Sequence, residues 1–240
     1  MILRHLLKSG TVIALLMLYS SSPAAAQSND AENFIDQVIE AYGGRQNVFS
    51  IKSYRLEAVL QTHVRGDNGK VIRVSEGPFR LKVLISYPSD MEIRLLEGEK
   101  ALRGFGPDKL SSVTGPLRDS MVLQAARANI PWILDSMRLK IRLMKTKEGQ
   151  SVLVVPLDKG MYMNAFIDAK THLVTRAETV SEGPMKLEFA ADYSDFRKVD
   201  NVLFPFREEN YASGAHTATT KVDSIKLNPS GEDLALPIPK

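Results

Sequence analysis

The chain has 240 residues, 31 Lys and Arg against 28 Asp and Glu, and no cysteine. The missing thiols exclude cysteine nucleophiles, CxxC redox chemistry and thiolate metal sites. No run of Lys and Arg is interleaved with aromatics, so nucleic-acid binding has no support.

Residues 1–26 read as a secretory signal peptide. Arg4, His5 and Lys8 form a basic start, Thr11–Tyr19 is a short apolar core, and Ala24–Ala26 offers a cleavage site. The core is too short to span a bilayer, which needs about 20 residues. No cysteine at the cleavage site can take a lipid, and no Arg-Arg pair marks the twin-arginine route. The expectation is a soluble periplasmic protein exported by the general secretory pathway. Residues 27–240 then form a single domain, near neutral once Arg4 and Lys8 are removed.

Ser28–Tyr42 is expected to be a helix, with Phe34, Ile35, Val38, Ile39 and Tyr42 at helical spacing and Gly43-Gly44 as its stop. From Ile51 the period becomes two. Tyr54–Val64, Lys70–Ser75, Phe79–Tyr87, Met91–Leu95 and Lys100–Phe105 alternate apolar and charged residues between turn signals. Leu117–Leu139 is the second helical stretch, divided by Pro131. Strands resume at Lys140 and run to Leu227, and the Pro-rich residues 229–240 read as extended. The fold class is α+β: about ten antiparallel strands and two helical segments.

Helices of about 15 and 20 residues span roughly 22 and 30 Å. They can plug one side of such a sheet but not cover it densely. Either the sheet closes on itself, or an apolar cavity remains beneath the helices. The seven methionines after residue 26 suit such a cavity or ordinary core filling equally well. His63, His172 and His216 show no HxH or HExxH spacing, and neither a GxSxG elbow nor an SxxK pair is present, so no catalytic residue, metal ligand or cofactor is assigned. A hydrolase would require one of these histidines to meet a serine and an acid in space.

Several motifs occur in a telling order: Ala41-Tyr42-Gly43-Gly44, the strand opening Ile51-Lys52-Ser53-Tyr54, the Pro-broken helix, Ile167–Arg176, Tyr193–Phe206 and Val222–Asn228. In that order they resemble the bacterial outer-membrane lipoprotein-sorting (LolA-like) superfamily, in its broad periplasmic branch. The resemblance implies a half-open antiparallel β-barrel whose helices form a lid over an apolar cavity. It also implies a monomeric carrier of lipids or acylated proteins, with an inner-membrane donor and an outer-membrane acceptor. A sensor or assembly module on the same half-barrel is the alternative. The lipoprotein carrier holds its lid with a barrel arginine; Arg55, Arg80 and Arg94 are equal candidates for that role here. On this reading Phe79, Leu81, Val83, Met91, Ile93, Leu95, Met185, Leu187 and Phe189 line the sheet side of the cavity. Met121, Trp132, Ile133 and Met137 line the lid.

Overall fold

The computed structural model describes residues 23–238 other than Pro184, with side chains from Asp30 onward. The expected signal peptide lies outside the described residues, except that Pro23–Ala26 begin the first helix, α1 (Pro23–Tyr42). A short helix α2 (Arg45–Ser50), which periodicity does not reveal, follows at once. Next come β1 (Tyr54–Thr62), β2 (Asn68–Ser75), β3 (Arg80–Ser86), β4 (Met91–Glu97), β5 (Lys100–Gly104) and β6 (Ser111–Ser112). Helices α3 (Gly115–Ala128) and α4 (Ile130–Ser136) interrupt the strands. Then β7 (Arg142–Lys145), β8 (Ser151–Pro156), β9 (Met161–Ile167), β10 (Val174–Ser181), β11 (Leu187–Val199), β12 (Val202–Ala212) and β13 (Ala215–Leu227) complete the chain.

All thirteen strands form one antiparallel sheet, ordered β6-β5-β4-β3-β2-β1-β13-β12-β11-β10-β9-β8-β7. The expected ten or so was an undercount. The strand expected from Lys140 is present as β7, with four residues, whereas the other edge strand, β6, has two and is too short to display a period. Short edges also offer little to a foreign strand. The edges do not meet, so the sheet stays open. It nonetheless wraps its helices, because α3 touches β4 on one side and β9, β10 and β11 on the other.

The long helical stretch breaks at Asn129 rather than at Pro131. Asn129 leaves helical geometry (φ −121°, ψ 39°), while Pro131 sits in the first turn of α4, where no backbone N–H is missed. The Asn129 amide closes the last turn of α3 and its carbonyl accepts from Ile133 N–H, the first bond of α4.

Two cores lie on the concave side. In one, Ile35, Val38 and Ile39 of α1 and Ile133 and Leu134 of α4 meet Leu153, Met163 and Ile167 of β8 and β9. In the other, α3 brings Met121, Val122, Leu123 and Ala125 to Leu56, Val71, Leu81 and Val83. The Tyr42-Gly43-Gly44 sequence has a packing reason. Gly43 adopts φ +133°, and a Cβ there would collide with the Asn201 carbonyl oxygen in the β11–β12 turn. Only glycine lets the end of α1 approach that turn.

Candidate functional site

Register fixes which residues face the helices. Across β2, β3 and β4, Val71 pairs with Ile85, Arg73 with Val83 and Val83 with Arg94. Arg94 hydrogen-bonds Gln124 of α3, so this parity is the concave one. Leu81 and Val83 therefore face the helix, as do Leu187 and Phe189 on β11. Met121 is buried against them, and Phe79 and Trp132 pack between the two cores.

Met91, Ile93 and Leu95 are a correction, because they lie on the opposite, convex parity. The apolar residues of β4 face outward because that surface is also covered. Gly104, opposite Ile93, abuts the Lys109 carbonyl, and the C-terminal segment lies beside Leu95. That segment is fixed by Arg55 donating to the Asp233 and Ala235 carbonyls and by Lys82 donating to that of Leu234. Ile133 and Met137 belong to the α1-side core rather than to the space under α3. Met185 is 60 % exposed at the mouth.

Beneath α3 a cavity of about 490 Å³ remains, lined by Leu60, Val83, Ile85, Leu117, Leu187 and Phe189 among others. This volume is within the range of roughly 300–1,000 Å³ usual for ligand pockets. A smaller cavity of about 60 Å³ lies on the far side, against Tyr42, Tyr54, Trp132 and Phe204. Arg73, Arg127 and Glu208 line both and form the wall between them.

That wall is polar and highly bonded. Arg73 and Glu208 form a buried bidentate pair, with both N–H···O contacts at 2.9 Å. The Tyr54 hydroxyl donates to the Ala128 carbonyl at 3.0 Å, and the Tyr193 hydroxyl to that of Arg127 at 2.9 Å. Two sheet tyrosines thus hold the C-terminal carbonyls of α3, which have no partner within the helix. Burial pushes both phenol pKa values upward, so the hydroxyls stay protonated donors. Asn129 completes the junction. Its side-chain Oδ1 accepts from the Ser75 hydroxyl and lies 3.2 Å from that of Tyr54, and its Nδ2 donates to the Gly77 and Pro78 carbonyls.

Further ties hold the body of α3. Arg94 spans Gln124 and Glu92, and Arg103 shares Glu92. Burial raises the Glu92 pKa, but the two guanidiniums outweigh it and hold the carboxyl below its ordinary value. Arg118 donates to the Gly98 and Glu99 carbonyls. Of the three arginines considered, Arg94 meets α3; Arg55 serves the C-terminal segment and Arg80 pairs with Glu97.

The residues that periodicity missed are Tyr54, Arg73, Arg127, Asn129, Tyr193 and Glu208. A signal existed for two of them. Arg73 shares strand parity with Val71 and Ser75, and Glu208 with Phe204 and Phe206. A charged residue on the apolar parity of a strand announces a buried partner.

Elsewhere, His63, Glu209 and His216 converge, their donor atoms all within 4.8 Å of one another. Among the described residues this is the one group of three whose spacing could hold a metal ion. His216 Nε2 lies 2.8 Å from Glu209, and Thr219 donates to the same carboxylate oxygen at 2.6 Å. His63 Nε2 lies 3.1 Å from the Thr219 hydroxyl. Thr219 itself is buried, and its hydroxyl proton goes to Glu209 rather than to a histidine. His172 sits apart, edge-on to Phe34.

No family model and no curated protein matches the chain. Solved structures do. A LolA superfamily protein from Nitrosomonas europaea superposes with a TM-score of 0.58 at 15 % identity, covering 85 % of this chain and 96 % of that one. A DUF1329 family protein from Desulfovibrio piger gives 0.55 at 10 % identity, over 85 % and 96 %. A domain from Vibrio parahaemolyticus assigned to outer-membrane lipoprotein sorting gives 0.52 at 9 % identity, over 87 % and 97 %. The chain therefore has the LolA-like fold.

Proposed function

We propose that this chain is a periplasmic carrier that holds the apolar part of a lipid or of an acylated protein beneath α3 and moves it between envelope membranes. The observation that carries this reading is the unfilled apolar space of about 490 Å³ between α3 and the sheet. Burying a chain of ~16 carbons there is worth on the order of 10 kcal/mol gross, at ~0.8 kcal/mol per CH₂. The LolA-like fold supports the same reading, as does the absence of any helix, among the described residues, long and apolar enough to cross a membrane.

Entry requires α3 to lift. Its end is held by two tyrosine hydroxyl bonds and the Asn129 junction, and its body by Arg94 and Arg118. Each neutral hydrogen bond contributes about 1 kcal/mol net, so a bound chain can offset the loss of several. Native mass spectrometry of protein purified from periplasm without detergent tests the proposal. A co-purifying mass of lipid size, or uptake of one added fatty acid or phospholipid, is the expected result. Uniformly ligand-free protein that takes up neither overturns it.

A further inference from the structure

The cavity under α3 is apolar but not neutral. Arg65, Arg73, Arg94, Arg103 and Arg127 line it. Arg65 pairs with Asp67 and Asp90, Arg73 with Glu208, and Arg94 and Arg103 share Glu92. Among the described residues, Arg127 has no carboxylate partner. It donates to the Thr179 hydroxyl and lies over the Phe189 ring, 5.2 Å from its centroid. Beside it, Arg73 Nε is a buried donor with no acceptor.

These features are costly. A half-buried cation without a carboxylate partner gives up part of its hydration, and a buried N–H without an acceptor is destabilising. Burial, opposed by Tyr193 and Glu208 and aided by Arg73 and Arg94, lowers the pKa of Arg127 to about 10. At neutral pH it stays charged, an uncompensated cation where the apolar chain of a ligand would lie.

We infer that the ligand of this cavity is an anionic amphiphile, whose carboxylate or phosphate is received by Arg127 and the free Arg73 Nε–H while its chain lies along Leu60, Val83, Ile85, Leu187 and Phe189. This rests on the carrier reading above and narrows it. A free fatty acid or an acidic phospholipid supplies the missing charge, whereas a neutral acyl group leaves it unmet. Glu208 does not repel such a headgroup, because both of its oxygens are engaged by Arg73. A guanidinium suits carboxylate and phosphate equally, since its forked donors match either.

The test is calorimetric titration of the full chain with four probes, the amphiphiles below their aggregation concentrations: hexadecanoate, hexadecyl phosphate, hexadecanol and inorganic phosphate. Both acids are expected to bind at least tenfold tighter than the alcohol, and inorganic phosphate not measurably. In Arg127→Met the advantage of the acids is expected to fall to near parity, with the alcohol unchanged within about twofold. The wild-type ranking needs no variant, and Thr179→Val, which frees Arg127 without removing its charge, should keep the preference. Equal binding of acids and alcohol overturns the headgroup assignment but leaves the carrier reading standing. Binding of inorganic phosphate as tightly as hexadecyl phosphate also overturns it, in favour of a free-anion site. Binding of no amphiphile overturns both readings.

Discussion

The two halves of the concave face solve the same problem differently. Where α1 and α4 cover β8–β10, side chains such as Ile35, Ile133, Leu153 and Met163 are fully buried and fill the space. Where α3 crosses between β4 and β9–β11, it packs Met121, Val122, Leu123 and Ala125 against the sheet, yet it leaves a cavity beside that core and is also held by polar ties. One sheet thus carries one core that is filled and a second that leaves a cavity. Packing to native density gives stability and excludes guests; stopping short of it leaves room at a cost in stability.

The largest effect is expected at the seam between the halves. Glu208→Ala leaves Arg73 buried and charged without its partner, and removing one member of a buried pair costs about 3–5 kcal/mol. Chemical denaturation reads this directly. A loss below about 1 kcal/mol would mean that solvent reaches the pair and that the wall between the cavities is open.

The sharpest form of the comparison is one substitution made on each side. Leu153→Ala in the filled half should cost about 3 kcal/mol, within the roughly 2–5 kcal/mol of buried Leu truncations. Leu187→Ala, at the cavity wall, removes contacts on one side only and should cost about 1 kcal/mol. The second should also weaken binding of an apolar probe, which the first leaves unchanged while the protein is folded. Equal destabilisation at the two sites would erase the distinction between a core and a binding space.

The filled half was the more legible in sequence, for a physical reason. Ile35, Val38 and Ile39 face one way because a helix repeats every 3.6 residues, and the parity of Met163, Ala165 and Ile167 is that of a strand with one buried face. On β4 the same rule misled. Ile93 and Leu95 are apolar yet point outward, because a loop and the C-terminal segment bury that side as well. Local pattern cannot say which of two covered faces is the concave one. Nor could it pair Tyr54 with Ala128 or Arg73 with Glu208, which lie 74 and 135 residues apart. The AYGG motif, by contrast, turned out to encode a close approach between α1 and a distant turn.

A smaller effect tests how loosely α3 is held. Tyr193→Phe keeps the ring but removes the hydroxyl that binds the Arg127 carbonyl, leaving that carbonyl without this donor. A cost of about 1–2 kcal/mol is expected. Faster amide exchange confined to α3, with α1 and α4 unchanged, would show that the bond restrains the lid alone. Uniformly faster exchange would show instead that α3 and the filled core open together.

The smallest effect lies on the surface of the filled half, where Asp36 meets Arg138 at 2.5 Å and Arg45 at 3.3 Å. The Arg138 hydrogen bond, partly opposed by desolvation and reinforced by both guanidinium charges, holds the Asp36 pKa below its ordinary value. A carboxyl depressed in the folded state stabilises above its unfolded pKa and loses that contribution as pH falls through the folded one. Its side chain is 55 % exposed, so water and salt screen most of the interaction. Asp36→Asn should therefore cost no more than about 0.5–1 kcal/mol at pH 7, and nothing once the pH has fallen below the folded-state pKa of Asp36. Glu92, held below its ordinary value by Arg94 and Arg103, follows the same direction with acid in the open half, but behind burial that excludes salt. Raising ionic strength should thus shrink the Asp36→Asn difference and leave that of Glu92→Gln largely intact. If salt weakens both alike, the polar wall of the cavity is as wet as the outer surface, and the contrast between the halves is one of packing alone.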